Sequence, residues 1–506
     1  FWLKAQAGTW SSQGVSGKMW AGCLIAVLLR YSFYFAGAPA YLEEHLVLTT
    51  PITSSVRLRE GLFLLGAGTS PYAGNTCHHP PLLLFLLFPL RDAPPLIHFT
   101  LVVAVDVAIA CLLRLLAVKY LAAKSSAGQA WLEASLIRKP DEEENSAADR
   151  ILEAVSPAFV GLSYLFNPFV IFSCLAFSLQ NLQHLAICAA LVLGGAGRAG
   201  PAAAMLAVVL YLCPFTPIVL IVPVAYLSYV HRFPDRVNFD MTQERGRYVR
   251  SKDEPVLDAR FCLHWALFTA GIFILLACLL GASLSLMDGQ LHFFEASFLS
   301  VLAVQDLTPN VGLFWYIFQE VFDRYRPMFL FCFHAHLLFY SAPLHFRVGR
   351  HGPIGPWLHA TAAVAIMTIF KPYPTAGDYG LMLSTLLIHF ELIQECEKMF
   401  SFLMSGLLFG LVMFPTMTLV WLTRNAGNAN FLYNMTLVVN IFASLLLSEW
   451  LKAGMKLRRR QRAASYFRVV VWETVETVLD MDPAKRAAIA RGKAEPFADK
   501  PNSDQG

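Results

Sequence analysis

Long apolar runs separated by short polar turns dominate this chain. They show little of the helical or alternating spacing by which a soluble core scatters its apolar positions. The run over 19–36 is long enough to cross a bilayer as a helix, and so are those over 95–118 and 261–285. Further runs fall at 158–177, 183–195, 201–213 and 216–230, broken by Gly and Pro. Later ones lie near 327–345, 356–371, 379–393, 399–422 and 430–452. The run 82–90 is too short to span, which predicts an interfacial or re-entrant segment. Two short pieces, 291–305 and 311–322, flank the polar turn Gln305–Asn310 and read as a half-crossing hairpin or as two tilted short spans. The pattern predicts an all-α protein, a polytopic membrane helical bundle with about a dozen crossings. Three parts are expected: a non-native or disordered leader over 1–18, a multispanning membrane domain over 19–452, and a cytoplasmic tail over 453–506.

Composition agrees with the pattern. Hydrophobic residues make up 56% of the 506 positions and charged residues 15%, against roughly a quarter charged in soluble domains. A formal charge of +4 is too small to argue for nucleic acid as a partner. The distribution of basic residues says more than their sum. Lys119, Lys124, Arg138 and Lys139 sit in the 119–157 stretch, and Arg232, Arg236, Arg245, Arg247, Arg250, Lys252 and Arg260 in 231–260. These loops, 346–351 and the tail with Arg458, Arg459, Arg460 and Arg462 fall on one side when the spans alternate, and the positive-inside rule makes that side cytoplasmic. Loops 37–94, 286–290, 371–378 and 423–430 then face the opposite compartment, provided 291–322 makes an even number of crossings. The ten cysteines include no CxxC pair and none near a His at zinc spacing; most lie inside apolar runs and read as packing residues.

Few residues within the runs could carry chemistry. Asp106, in LVVAVDVAIA, marks either a functional intramembrane acid or a partner for a polar group on a neighbouring helix. With no second ionisable residue at helical spacing the partner reading is favoured, and Arg30 and Arg114 are the candidates. His78-His79 and His334-Ala335-His336 are spaced wrongly for one helix face, so core or interfacial histidines are expected and no metal site. Gly194-Gly195-Ala196-Gly197 reads as close helix packing or a turn. The sequon at Asn434-Met435-Thr436 begins a span, which argues against modification. The loop Thr423–Asn430 gathers Arg424, Asn425, Asn428 and Asn430 between two strong spans. Asn amides suit sugar hydroxyls and an Arg fork suits phosphate oxygens, while an ordinary polar turn uses the same residues for left-handed conformations.

Five blocks, in order, carry a resemblance: EGLFLLGAGTSPYAG (60–74), LSYLFNPFVIFSC (162–174), VQDLTPNVGLFWYIF (304–318), IFKPYPTAGDYGL (369–381) and GNANFLY (427–433). Together they resemble the PIG-U family, the multispanning subunit of the glycosylphosphatidylinositol (GPI) transamidase. That family is itself similar to lipid-linked-sugar (GT-C type) mannosyltransferases of the endoplasmic reticulum, which share the SPY-containing first lumenal loop and place catalytic acids upstream of it. This chain has Pro51-Ile52-Thr53-Ser54-Ser55 there, without a carboxylate. Glu43 and Glu44 lie further upstream, as a displaced acid pair or a solvated interfacial face. Without a placed carboxylate no general base activates a sugar hydroxyl. The resemblance therefore implies a non-catalytic subunit that binds and presents the GPI lipid for attachment to the C-terminus of proproteins. It implies no catalytic residue, metal or cofactor, and residence as a multi-pass protein of the endoplasmic reticulum membrane. The implied partners are PIG-K, PIG-T, PIG-S and the GPI-anchor attachment protein. Asn428 and Asn430 match the family's GPI-contact positions, and Arg424 adjoins them. Arg236 is a further candidate, although the topology puts it on the cytoplasmic side. The FWYIF stretch (314–318) is likened to a motif of lipid-handling elongases, and an interfacial aromatic belt explains it equally. An active mannosyltransferase is the alternative; a transporter would need matching broken repeats, and none is evident.

Overall fold

In hydrocarbon every backbone N–H and C=O needs an internal partner, so apolar runs of this length fold as helices. The computed structural model describes residues 14–74, 76–133, 156–233, 259–350 and 354–479, with no strand among them. The first half contains α1 (Gly14–Phe35), α2 (Ser55–Gly66), α3 (Pro81–Leu87), α4 (Pro95–Glu133), α5 (Pro157–Leu165), α6 (Pro168–Leu175), α7 (Gln180–Gly194), α8 (Ala199–Leu212) and α9 (Ile221–Arg232). The second half contains α10 (Ala259–Leu286), α11 (His292–Leu302), α12 (Phe314–Glu320), α13 (Arg326–Leu344), α14 (Gly355–Ile369), α15 (Ala376–Leu386), α16 (Glu391–Thr418) and α17 (Ala429–Leu479).

Five of these stretches are long and apolar enough to cross a membrane: Pro95–Lys124, Ala259–Leu286, Arg326–Gly349, Met399–Thr423 and Ala429–Leu457. A sixth is the pair α5 and α6, bent by 47°. Other apolar segments form shorter helices, so the dozen crossings expected from the apolar runs are not all made by single uninterrupted helices. Local chemistry explains the breaks. Ser156 and Asn167 accept backbone N–H bonds from Phe159 and Phe169, with a proline directly after each. Pro168 cannot continue the helix before it, so the 158–177 run becomes two capped helices. The run 379–393 is likewise divided, because α15 ends at Leu386 and Glu391 begins α16. At the other extreme α17 continues through Lys452 to Leu479, placing the expected boundary between membrane domain and tail inside one helix. Similarly, α1 begins at Gly14, inside the expected leader.

Contacts between loops sort them onto two faces. On one face Ala376 N donates to Val47 O (2.8 Å) and Leu179 N to Thr53 O (2.9 Å). Arg57 pairs with Asp306 (2.8 Å), and Met287 packs with Leu58, Leu62, Tyr72 and Phe293. On the other face Lys124 pairs with Glu391 (3.2 Å), the His231 ring meets Trp357 at 5.2 Å, and His345 stacks on Phe261 at 5.1 Å. The 291–322 segment starts and ends on the first face. Its turn residue Asp306 meets Arg57, while the Arg326 guanidinium, beyond its end, donates to the carbonyls of Phe318, Ala303 and Val304.

Candidate functional site

The signature hairpin is held from every side. Asp306 accepts from Thr308 N (2.9 Å) and pairs with Arg57, while Tyr373 donates to the Asp306 carbonyl (2.9 Å). Burial pushes the Asp306 carboxyl up, and the Thr308 bonds and the Arg57 charge more than offset it, leaving its pKa below 3.8. Asn310 accepts from Gly312 N (2.7 Å), and its carbonyl receives the Thr436 hydroxyl (3.3 Å). Asn440 donates to Val311 O (2.9 Å) and accepts from the Tyr379 hydroxyl (3.0 Å). Three separate stretches of chain thus fix one short turn.

From this turn α12 presents its aromatics to the start of α17. Trp315 is fully buried, edge-on to Tyr433 at 5.7 Å, and Tyr316 stacks on Tyr433 at 4.5 Å. The Tyr316 hydroxyl donates to Asn430 Oδ1. Next to this contact lies the Asn-rich loop. The last turn of its preceding helix widens over Leu419–Thr423, and Asn425 takes a positive φ of 49°, which short polar Asn tolerates. Asn428 Oδ1 accepts from Asn430 N (3.0 Å), a cap on the first turn of α17. Arg424, Asn425, Asn428 and Asn430 are all exposed, so their remaining donors and acceptors face outward.

Beside the loop opens a cleft of about 630 Å³, lined by residues 40–41 and 43–46, Val56, Arg59, Thr418, Leu422 and Thr423. Glu43 accepts from Ser55 Oγ (2.9 Å) and pairs with Arg59. Burial lowers the pKa of His45, which keeps that ring neutral at pH 7.

The structure brings together three of the four site residues expected from sequence: Arg424, Asn428 and Asn430. Arg236 lies outside the described residues. Tyr316 is a neighbour that sequence reasoning missed as a partner of Asn430. Its signal lay in the FWYIF block, read there as lipid motif or belt. Asp106 is committed to Arg30 (3.3 Å), both buried, as the partner reading proposed, and Arg114 is not its partner. His78 bonds Ala296 O (2.7 Å), His79 bonds Ser54 O (3.0 Å) and His334 bonds Leu302 O (2.8 Å). His78 and His79 are buried core histidines. Among the described residues no group of three or more His, Cys, Asp or Glu could hold a metal ion. In the Gly194–Gly197 stretch both expected roles occur. Gly195 lies against Trp357, where a Cβ would approach to 2.4 Å, and Gly197 turns the chain with φ of 70°. Thr436 of the sequon is buried.

One buried cluster explains another block. Lys371 Nζ, 1% exposed, donates to Gln183 (2.8 Å), Gln180 (3.1 Å) and Asp378 (3.1 Å). Asp378 also accepts from Thr375 N (2.8 Å) and caps α15, and His184 is 3.4 Å from it. The KPYPTAGD turn is thus locked to α7 in the first half of the chain.

These features define a multi-pass helical membrane protein with an exposed Asn-rich turn beside a firmly held hairpin. The sequence profile described as "GPI transamidase subunit PIG-U" matches residues 24–439, and the chain belongs to that family. Its relatives include the Homo sapiens GPI-anchor transamidase component PIGU, 27% identical over 86% of this chain and 92% of the relative. The Saccharomyces cerevisiae GPI transamidase component GAB1 is 25% identical over 85% of this chain and 92% of the relative. The Schizosaccharomyces pombe GAB1 homolog is 25% identical, with the same coverage.

Proposed function

We propose that this chain is a non-catalytic subunit of a GPI transamidase in the endoplasmic reticulum membrane, where it binds the GPI lipid and presents it for transfer to protein C-termini. The chemistry then belongs to a protease-like partner, PIG-K, assembled with PIG-T, PIG-S and the GPI-anchor attachment protein. The observation that carries the reading is the exposed turn Arg424–Asn430 at the end of the bundle, inside a chain that belongs to the PIG-U family. Amides and a guanidinium offer the donors that sugar hydroxyls and phosphates need. A glycosyltransfer role is less well supported, because Glu43 is already engaged by Ser55 and Arg59.

The test is Asn428→Ala with Asn430→Ala in cells lacking the endogenous subunit. Assembly is expected to persist while surface display of GPI-anchored proteins falls. Unchanged display at equal expression would remove the loop from the mechanism. Product formed by the purified chain from dolichol-phosphate-linked mannose and a GPI precursor would instead make it an enzyme.

A further inference from the structure

Two of the resembling blocks, 162–174 and 369–381, meet inside the bundle at a small cavity. Asp106 of α4, Tyr164 of α5, Ser173 of α6, His184 of α7 and Gly377 of α15 line it. Ser178, on the link between α6 and α7, lines it as well. Its volume is about 10 Å³, the room that one water molecule needs. The walls are polar. Asp106 belongs to the Arg30 pair, while His184 meets the Tyr164 hydroxyl (3.1 Å) and Asp378 of the Lys371 cluster (3.4 Å). Ser173 and Ser178 are 7% and 2% exposed, and their hydroxyls have no hydrogen-bond partner among the described residues. Gly377 keeps the space open, since a Cβ there would stand 3.0 Å from Ser173 Oγ.

We propose that this cavity is a binding site for a single water molecule, held between the Arg30–Asp106 pair and the His184–Asp378–Lys371 cluster. A buried hydroxyl without a partner is costly, and a cavity lined by several polar groups fills where an apolar one stays dry. The serine hydroxyls donate to the water oxygen. Its own hydrogens have the Asp106 carboxylate and the Tyr164 hydroxyl oxygen as acceptors on the same lining. Together these supply the two to four polar partners that a retained internal water needs. The two charged clusters then flank one bound water in place of two orphaned hydroxyls. The site is independent of the GPI reading.

The experiment is X-ray hydroxyl-radical footprinting of the complete purified complex in detergent, read residue by residue by mass spectrometry. Radicals form from a bound water and oxidise the side chains beside it, even where bulk solvent does not reach. Cys174 and Tyr164 line the cavity and are buried; Cys188 and Tyr379 are buried too and do not line it. Oxidation of Cys174 and Tyr164 is expected to exceed that of Cys188 and Tyr379. Gly377→Ala narrows the cavity and is expected to lose that excess. Ser173→Val, which fills the space from α6, takes its place if the first variant does not assemble. Equal labelling of all four residues in the wild-type complex would overturn the site. So would an excess that persists unchanged in an assembled Gly377→Ala or Ser173→Val complex, since the label would then come from elsewhere.

Discussion

The Lys371 cluster and the Asn428 turn are built from similar polar groups and spend them differently. Around Lys371 every major donor and acceptor is used inside the bundle: two glutamines, an aspartate and a helix cap close on one ammonium. At the turn, Asn428 spends one oxygen on a cap and Asn430 one oxygen on Tyr316, and the rest of each amide is left to the surroundings. In hydrocarbon an unpaired charge is expensive, so a buried polar cluster must be self-contained and serves architecture. At the surface water satisfies what the protein does not, and spare hydrogen-bonding capacity can be kept for a ligand.

The comparison breaks if the buried cluster proves dispensable. Lys371→Met leaves Asp378 buried without its counter-charge and is expected to cost about 3–5 kcal/mol. The readout is loss of the folded chain in detergent by thermal denaturation and failure to enter the complex. Pairing it with Asp378→Asn should recover part of the loss.

A smaller effect comes from the first loop, where His79 is buried against the Ser54 carbonyl. Burial lowers its pKa from 6.5 to about 4. A depressed folded pKa means the unfolded chain binds the proton first, so the stability due to this group is full above 6.5 and lost as pH falls towards 4. The loss is on the order of 3 kcal/mol, read as a drop in melting temperature between pH 7 and pH 4, and His79→Gln should flatten it. Asp306 has the same sign at lower pH, its contribution lost only as pH falls through a value below 3.8.

At the hairpin, Tyr316→Phe removes the hydroxyl that reaches Asn430 and is expected to cost about 1 kcal/mol. It should alter lipid retention more than assembly, because Trp315 and the stacked ring remain. The smallest structural effect sharpens the comparison most. Asn428→Ser keeps a capping oxygen and should cost only a few tenths of a kcal/mol, whereas Asn428→Ala costs about 1 kcal/mol. If GPI attachment falls with both, the amide serves the ligand; if Ser restores it, Asn428 is a helix cap and nothing more.

Much of the fold was legible in the sequence, since long apolar runs have few ways to satisfy their backbone. The broken helices were not, because Asn167-Pro168 divides a run that hydropathy alone reads as continuous. The contacts that hold the hairpin were not legible either, because Arg57 and Arg326 are polar side chains distant in sequence from the carbonyls and carboxylate they engage. At the site, Arg424, Asn428 and Asn430 stood out by residue type and by resemblance. The cap made by Asn428 and the Tyr316 contact could not be read, because each depends on a pairing set by the tertiary fold. Asp106 was legible as a pair, since an isolated intramembrane acid demands a partner and Arg30 was within the first span.

The most direct measurement is a structure of the complete transamidase with a GPI bound. The account predicts the headgroup within hydrogen-bonding distance of the Asn428 and Asn430 amides, with no acid of this chain against a reacting atom. A headgroup held only by other subunits, or a carboxylate of this chain poised on a donor sugar, would contradict it.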